Sequence, residues 1–173
     1  MESVPVEKIP FARPYIGKEE EEAVLAVLRS GWLTTGKETL EFETDFGNFL
    51  KTGGEKLYCM AVNSATSGLH LALEAIGVGK GDMVLVPSLT FTATAEVVRY
   101  LDAEVVFVDV SKDSFHMDPA ALEETLCKLG GKAKAVIPVH YGGLPCDMDA
   151  IVAIAERHGV KIIEGFAAPP VSL

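Results

Sequence analysis

The sequence predicts an α/β protein with three layers, in which helices cover both faces of a mostly parallel β-sheet. After Gly53-Gly54 the sequence alternates between short, wholly apolar runs and helical stretches, and such runs are typical of strands that are buried on both faces. The chain has 173 residues, 49% of them hydrophobic, which is enough to build a core of its own. No repeat or low-complexity segment interrupts the alternation. We therefore expect one αβα core over residues 53–173.

The first 52 residues predict an extended arm and two amphipathic helices. Residues 1–17 contain three prolines and are expected to be extended. A helix is predicted over Lys18–Arg29, because four glutamates favour the positive end of its dipole and Gly31 follows its apolar stripe. A second helix, Lys37–Leu50, places three phenylalanines on one face.

The sequence after residue 52 predicts strands and helices in alternation. The predicted strands are Leu57–Val62, Met83–Val86, Glu104–Val108, Ala135–Val139 and Val160–Ile163. The predicted helices are Ser67–Ala75, Ala93–Leu101, Pro119–Leu129 and Met148–His158. The glycine-rich segment Gly77–Asp82 follows a helix and precedes a strand, which is the wrong order for a phosphate loop, so we expect a turn there.

The charge of the chain excludes two classes of partner. It carries 25 acidic against 15 basic residues, a net charge of −10, and has no cluster of Lys or Arg. Nucleic acids and anionic membranes need a positive footprint, so we expect neither as a partner. The sequence also has no apolar run of the roughly 20 residues that span a membrane and no basic, apolar leader, which predicts a cytoplasmic protein.

The cysteines and most histidines predict no metal site. Three cysteines are an odd number, they are widely spaced and they form no C-x-x-C pair, so we expect them to be reduced and structural. Three histidines have no partner at metal-ligand spacing, and we assign them no catalytic or metal-binding role. These residues are Cys59, Cys127, Cys146, His70, His116 and His158.

Ligands of parallel α/β sheets bind beyond the carboxyl ends of the strands, and this rule selects a few segments. The small polar run Asn63–Gly68 could hold an anion at a helix start, or Ser64 or Thr66 could simply cap that helix. Phe91 could offer a face to a planar ligand, or be a core or rim aromatic. His140 could be an acid, a base or a ligand, or a structural residue with its hydrogen bonds satisfied.

Several motifs resemble one known family. Val62–Leu73 (VNSATSGLHLAL) resembles the phosphate loop of the DegT/DnrJ/EryC1/StrS family, the PLP-dependent sugar aminotransferases. Further similar motifs follow in family order over nearly the whole chain. They are Trp32–Gly36, Gly79–Val84, Pro87–Thr94, Ile137–Gly143 and Val160–Glu164.

The resemblance implies a fold, a cofactor and a reaction. It implies the large domain of fold-type I PLP-dependent transferases, usually a homodimer, with pyridoxal 5′-phosphate (PLP) as cofactor. By position, Ala65, Thr66 and Ser67 match the residues that hold the PLP phosphate, Phe91 matches an aromatic stacked on the pyridine ring, and Trp32–Gly36 matches a loop near the mouth of the active site. The implied substrates are a keto-sugar nucleotide and an amino donor such as glutamate, in the biosynthesis of cell-surface polysaccharide or lipid A sugars.

Two departures from the family pattern imply that this chain has no catalytic residues. The family has Glu-Asp-Ala-Ala-His where this chain has Glu164 to Ala168, so Gly165 replaces the aspartate that pairs with the pyridine nitrogen. The Schiff-base lysine of the family belongs to a later segment, and none of the eleven lysines stands in its motif. We expect that a truncated or frame-shifted gene ends this chain before that segment, and that the chain is inactive alone.

Two alternatives remain open. A non-catalytic remnant could bind phosphate or PLP, or could serve as a dimerisation module. An unrelated nucleotide-binding domain is disfavoured because the sequence has no phosphate-loop glycines.

Overall fold

The computed structural model describes residues 14–50, 54 and 57–167, so most of the predicted arm and the residues after 167 lie outside it. Within these residues the helices are α1 (Lys18–Ser30), α2 (Lys37–Phe49), α3 (Ala65–Ala75), α4 (Ala93–Tyr100), α5 (Pro119–Leu129) and α6 (Met148–His158). The strands are β1 (Met83–Pro87), β2 (Glu104–Val108), β3 (Ala133–Val136), β4 (Val139–Tyr141), β5 (Lys161–Ile162) and β6 (Gly165–Ala167). No described helix is both long enough and apolar enough to cross a membrane.

The chain divides into two compact units, Met1–Ala61 and Val62–Leu173. The first contains both helices that the amphipathic pattern predicts. α1 begins where the Glu20 carboxylate accepts the Gly17 N–H at 2.7 Å, and it ends at Gly31, whose φ of 72° suits glycine. Both predicted helices are therefore confirmed to within a residue at their ends.

The predicted strand Leu57–Val62 is wrong, because its described residues form no ladder with any other described segment. The segment lies against α2 instead. The Ala61 N–H donates to the Glu43 carboxylate at 2.8 Å, and a Cβ on Gly47 would come within 3.3 Å of the Leu57 carbonyl oxygen. An apolar run becomes a strand only when a neighbouring backbone supplies its hydrogen bonds.

The second unit contains a four-stranded parallel sheet in the order β2-β1-β3-β5. β4 and β6 form a separate parallel pair in which Val139 lies opposite Gly165. The predicted strand Ala135–Val139 is thus divided into β3 and β4. Pro138 lies at the division and has no N–H to give to a ladder.

Successive side chains of the central strands point to opposite faces, and each face is covered by two helices. On one face Leu85 and Val136 pack with the helices α5 and α6. On the other face Val84 and Ala135 pack with α3 and α4. Both clusters consist of buried residues, which confirms the predicted αβα layers.

The connections determine which loops share an edge of the sheet. α4 follows β1, so it begins at the carboxyl edge; α3 leads into β1, so its amino end lies at that edge too. The segment Glu164–Gly165 follows β5 and reaches the same edge. The glycine-rich segment Gly77–Asp82 lies at the opposite edge and is a turn, as predicted, in which the Gly79 N–H donates to the Asp82 carboxylate at 3.0 Å.

Candidate functional site

The amino end of α3 is built by a small set of polar side chains. Ser64 is its N-cap, with extended backbone (φ −161°, ψ 155°), and its Oγ accepts the Ser67 N–H at 3.1 Å. Of the two residues that the sequence offers as a cap, Ser64 has this role and Thr66 lies in the first helical turn. Capping and anion binding are compatible here, because a cap satisfies one of the free donors at a helix start and leaves others.

The other polar groups of this helix start differ in whether their hydrogens are already engaged. The N–H groups of Ala65 and Thr66 have no acceptor within the helix, because the first turn has none to offer. The Ser67 hydroxyl donates to the Asn63 Oδ1 at 2.7 Å and lies 3.0 Å from the Ser64 Oγ. In the described part of the chain the Thr66 hydroxyl has no hydrogen-bond partner. This loop fits a phosphate group, which accepts N–H and O–H donors and is favoured by the positive end of a helix dipole.

Asn63 is the member of this loop that sequence reasoning did not assign. Its side chain holds the Ser67 hydroxyl in place. The signal was present in the polar run that begins with Asn63. A residue four positions before Ser67, however, can be paired with it only when the backbone of the helix start is known.

Phe91 lies just before α4, and its side chain is 72% exposed, so it is a rim aromatic and not a core residue. The loop that carries it is held by the hydroxyls of Thr90 and Thr94, whose oxygens are 2.8 Å apart. Among the described residues no other ring stacks on Phe91. Its face is therefore available to a planar ligand at the carboxyl edge of the sheet.

His140 is buried, and both of its ring nitrogens are hydrogen-bonded. Its Nδ1 accepts the Cys146 N–H at 3.0 Å, so the ring hydrogen is on Nε2, which donates to the Glu164 carboxylate at 2.9 Å. Phe166 covers the ring, with centroids 4.4 Å apart. The contacts therefore support the interpretation of His140 as a structural residue with its hydrogen bonds satisfied. The carboxylate of Glu164 is engaged in one of these hydrogen bonds.

Cys146 belongs to the same cluster. Its thiol donates to the Val139 carbonyl at 3.2 Å. Burial, and secondarily the charge of Glu164, raises the pKa of the Cys146 thiol. Because the thiol stays protonated, this cysteine is a structural group, and all three cysteines are free of disulfides.

Gly165 occupies the position where the resemblance implies a carboxylate, and the surroundings match its lack of a side chain. Its N–H donates to the Pro138 carbonyl at 2.9 Å, and a Cβ there would lie 3.3 Å from the Val139 Cγ2. The residues present thus fit the phosphate and one ring face of PLP, but they supply no free carboxylate at this position for the ring nitrogen.

Of the described lysines in the second unit, one lies at this edge and the others do not. In the described part of the second unit, Lys112 follows β2 at the carboxyl edge and is exposed. The others precede a strand or begin one, at the opposite edge; they are Lys80, Lys128, Lys132, Lys134 and Lys161.

The loop Trp32–Gly36 belongs to the first unit. The Trp32 Nε1 donates to the Thr35 carbonyl at 3.1 Å, and the indole covers Gly36 so closely that a Cβ there would collide with it. A side chain at position 36 would therefore require the exposed Trp32 indole to move.

Comparisons with known proteins agree with the motifs. A family model described as the DegT/DnrJ/EryC1/StrS aminotransferase family matches residues 14–169. Among solved structures, a DegT/DnrJ/EryC1/StrS aminotransferase from Brucella abortus is 41% identical, with a TM-score of 0.76 over 83% of this chain. The aminotransferase TlmJ from Streptoalloteichus hindustanus is 38% identical, with a TM-score of 0.79 over 89% of this chain.

A third similar structure is the PLP form of Spr1654 from Streptococcus pneumoniae, described as a sugar aminotransferase. It is 38% identical and has a TM-score of 0.79 over 87% of this chain. The chain spans only 37 to 41% of the length of these three structures. The match therefore concerns one part of each of these longer structures.

Proposed function

The chain belongs to the DegT/DnrJ/EryC1/StrS aminotransferase family, and we propose that it is the part of a sugar aminotransferase that holds the phosphate and one ring face of PLP. PLP is the cofactor of this family, and when bound it supplies an electron-withdrawing ring to the carbon that exchanges its amino group. The observation that carries the proposal is the start of α3. Ala65 and Thr66 present N–H groups there and Thr66 adds its hydroxyl, whereas the Ser67 hydroxyl would turn from the Asn63 Oδ1 to the phosphate. Phe91 would support the ring from the start of the neighbouring helix.

The reaction we propose for the whole protein is amino transfer to a keto-sugar nucleotide, with glutamate as donor. The sequence motifs favour the reaction type of UDP-4-amino-4-deoxy-L-arabinose–oxoglutarate aminotransferase, within the biosynthesis of cell-surface polysaccharide or lipid A sugars. The net charge of −10 is consistent with anionic ligands held by local donors instead of a general positive field.

A second candidate function is binding without catalysis. Gly165 has no carboxylate, Glu164 is engaged with His140, and the described lysines of the second unit other than Lys112 lie at the opposite edge. These 173 residues would then hold the cofactor phosphate without transferring an amino group. Self-association through exposed apolar faces would make the same chain a dimerisation module.

Pyridoxamine 5′-phosphate is the best probe of the phosphate site, because it has no aldehyde to react with surface lysines. We expect it to bind at least about tenfold more tightly than pyridoxamine, because each donor to a charged group contributes about 1.5–3 kcal/mol. Thr66→Val and Ser67→Ala should each reduce that preference about tenfold in equilibrium dialysis.

Thr125→Val is the matched control, because Thr125 makes only an intrahelical bond to the Ala121 carbonyl in α5. Equal binding of the two pyridoxamines, or equal loss in all three variants, would overturn the phosphate assignment.

An activity assay tests whether this chain transfers an amino group on its own. With glutamate, PLP and a UDP-linked 4-keto sugar, we expect no turnover by the chain and none by Gly165→Asp. The substitution restores a carboxylate, with a small shift of Val139, but no lysine. Turnover that scales with the concentration of the chain, after host aminotransferases are removed, would establish the catalytic alternative.

A further inference from the structure

Three potential metal ligands meet where α5 and α6 pack against each other. The Glu123 Oε1 lies 2.9 Å from the His158 Nε2 and 3.8 Å from the Cys127 Sγ, and the three ligand atoms all lie within 4.8 Å of one another. Glu123 and Cys127 are one helical turn apart on α5, whereas His158 is the last residue of α6. The buried residues of both helices share one cluster, so the two backbones that carry the ligands are held together.

The spacing of these atoms suits a zinc ion. Tetrahedral zinc with bonds of about 2.0–2.3 Å brings its ligand atoms to roughly 3.3–3.7 Å from one another, and the present distances lie on either side of that range. We propose that Glu123, Cys127 and His158 form a surface Zn²⁺ site, with water as the fourth ligand. A thiolate and an imidazole favour zinc over magnesium or calcium, which prefer oxygen ligands.

The surroundings of the cluster support a cation. The Arg157 Nη2 donates to the Glu123 Oε2 at 2.5 Å, which orients the carboxylate. Oε1 then faces the His158 Nε2 and the Cys127 Sγ, whose hydrogens a bound metal would replace. Cys127 and His158 also lie in the last turns of α5 and α6, where the helix dipoles are negative.

This site is independent of the proposed cofactor loop. α5 and α6 cover the face of the sheet opposite to α3 and α4, and their carboxyl ends lie at the amino edge of the sheet. The proposed zinc site also differs from the prediction from the sequence, which was that the cysteines and most histidines bind no metal. That expectation rested on spacing along the chain, in which Glu123 and His158 are 35 residues apart.

Protection of a cysteine tests the site on the unaltered chain. Cys127 is exposed, so iodoacetamide should modify it readily without metal, whereas a bound Zn²⁺ should slow that reaction at least about tenfold. Cys59 is the internal control and should react at the same rate with and without zinc. Peptide mass spectrometry measures both rates in one sample. Equal rates at Cys127 with and without zinc would overturn the proposal.

Substitutions test which side chains bind. Co²⁺ serves as a spectroscopic probe, because a thiolate ligand gives it a charge-transfer band that water and carboxylates do not. Cys127→Ser should abolish that band, His158→Gln should weaken Co²⁺ and Zn²⁺ binding by about 100-fold, and Arg157→Gln by about tenfold.

Cys59→Ser is the matched control and should leave the band and both affinities unchanged. Far-ultraviolet circular dichroism checks that each variant is folded. A band that survives in Cys127→Ser and disappears in Cys59→Ser would place the metal elsewhere and overturn the assignment.

Discussion

The two units of the chain use amphipathic helices in different ways. In the first unit α1 contains no buried residue among its described positions, and α2 contains only Gly47. In the second unit each of the helices α3 to α6 buries at least one side chain against the sheet. A helical stripe of apolar residues therefore identifies the face that is suited to burial, but not whether this chain supplies the surface that covers it.

The uncovered faces of the first unit are extensive. α1, α2 and the loop Trp32–Gly36 line a groove of about 1420 Å³. Large apolar side chains of this unit that remain exposed include Leu28, Trp32, Leu33, Leu40, Phe42, Phe46 and Phe49. Contiguous apolar patches above a few hundred Å² are rare on monomers, so we expect this unit to associate with a further surface.

The largest expected effect contrasts one leucine from each unit. Leu85 is fully buried in the sheet, whereas the side chain of Leu28 on α1 is 55% exposed. Leu85→Ala should lower the free energy of unfolding by about 2–5 kcal/mol, and Leu28→Ala by less than about 0.5 kcal/mol. Urea denaturation followed by circular dichroism measures both. Similar losses in the two variants would mean that α1 is as well packed as the sheet.

The second prediction concerns association through the first unit. Phe42 and Phe46 stack on each other with centroids 5.8 Å apart and are both exposed. Replacing both with serine should weaken self-association by about 30- to 1000-fold, because each ring contributes roughly 1–2 kcal/mol when it is buried. Sedimentation velocity measures the change, and Phe107→Ser, on an exposed residue of β2, is the control. A chain that is already a clean monomer at high concentration would contradict the prediction.

The third prediction compares the helix starts of the two units. Ser64→Ala removes the side-chain cap of α3 and should lower the free energy of unfolding by about 1 kcal/mol. The effect reaches the core because α3 packs on the sheet. Glu20→Ala removes the bond to the Gly17 N–H and should cost only a few tenths of that, since α1 buries nothing. Thermal unfolding of both variants is the measurement. A larger loss for Glu20→Ala would indicate that the first unit limits stability.

The same contrast explains what the sequence could predict. The apolar periodicity and the helix start and stop residues located all six helices of the described residues and three of the strands closely. These features depend on local patterns such as the Gly31 stop and the Asp118 cap. They failed at Leu57–Val62 and at β6, because a strand requires a partner that a local pattern does not identify.

The candidate site residues show the same contrast between local patterns and contacts that are distant in sequence. The polar run at the start of α3 was visible in the sequence, because its members are consecutive. The pairs His140–Glu164 and Glu123–His158 were not, because their members are 24 and 35 residues apart and meet only through the packing of the sheet and of α5 with α6.

The smallest expected effect compares the cysteines of the two units. Burial raises the pKa of the Cys146 thiol in the second unit, whereas Cys59 in the first unit is partly exposed. Iodoacetamide should therefore modify Cys146 at least about tenfold more slowly than Cys59 at pH 8. Peptide mass spectrometry of partly modified protein gives both rates, and equal rates would mean that the His140 cluster opens as readily as the first unit.

The raised pKa of the Cys146 thiol also predicts how the free energy of unfolding changes with pH. Because the folded chain keeps the Cys146 proton to higher pH than the unfolded chain does, the folded state binds more protons above the ordinary thiol pKa of about 8.5. Its contribution is fully present below that pH and is lost as the pH rises toward the folded pKa. Cys146→Ala should consequently flatten the decline in unfolding free energy between about pH 8 and pH 10, whereas Cys59→Ala should leave the decline unchanged. Parallel declines in wild type and Cys146→Ala would show that the thiol ionises as easily in the fold as in the unfolded chain, and that the cluster around His140 is not closed to water.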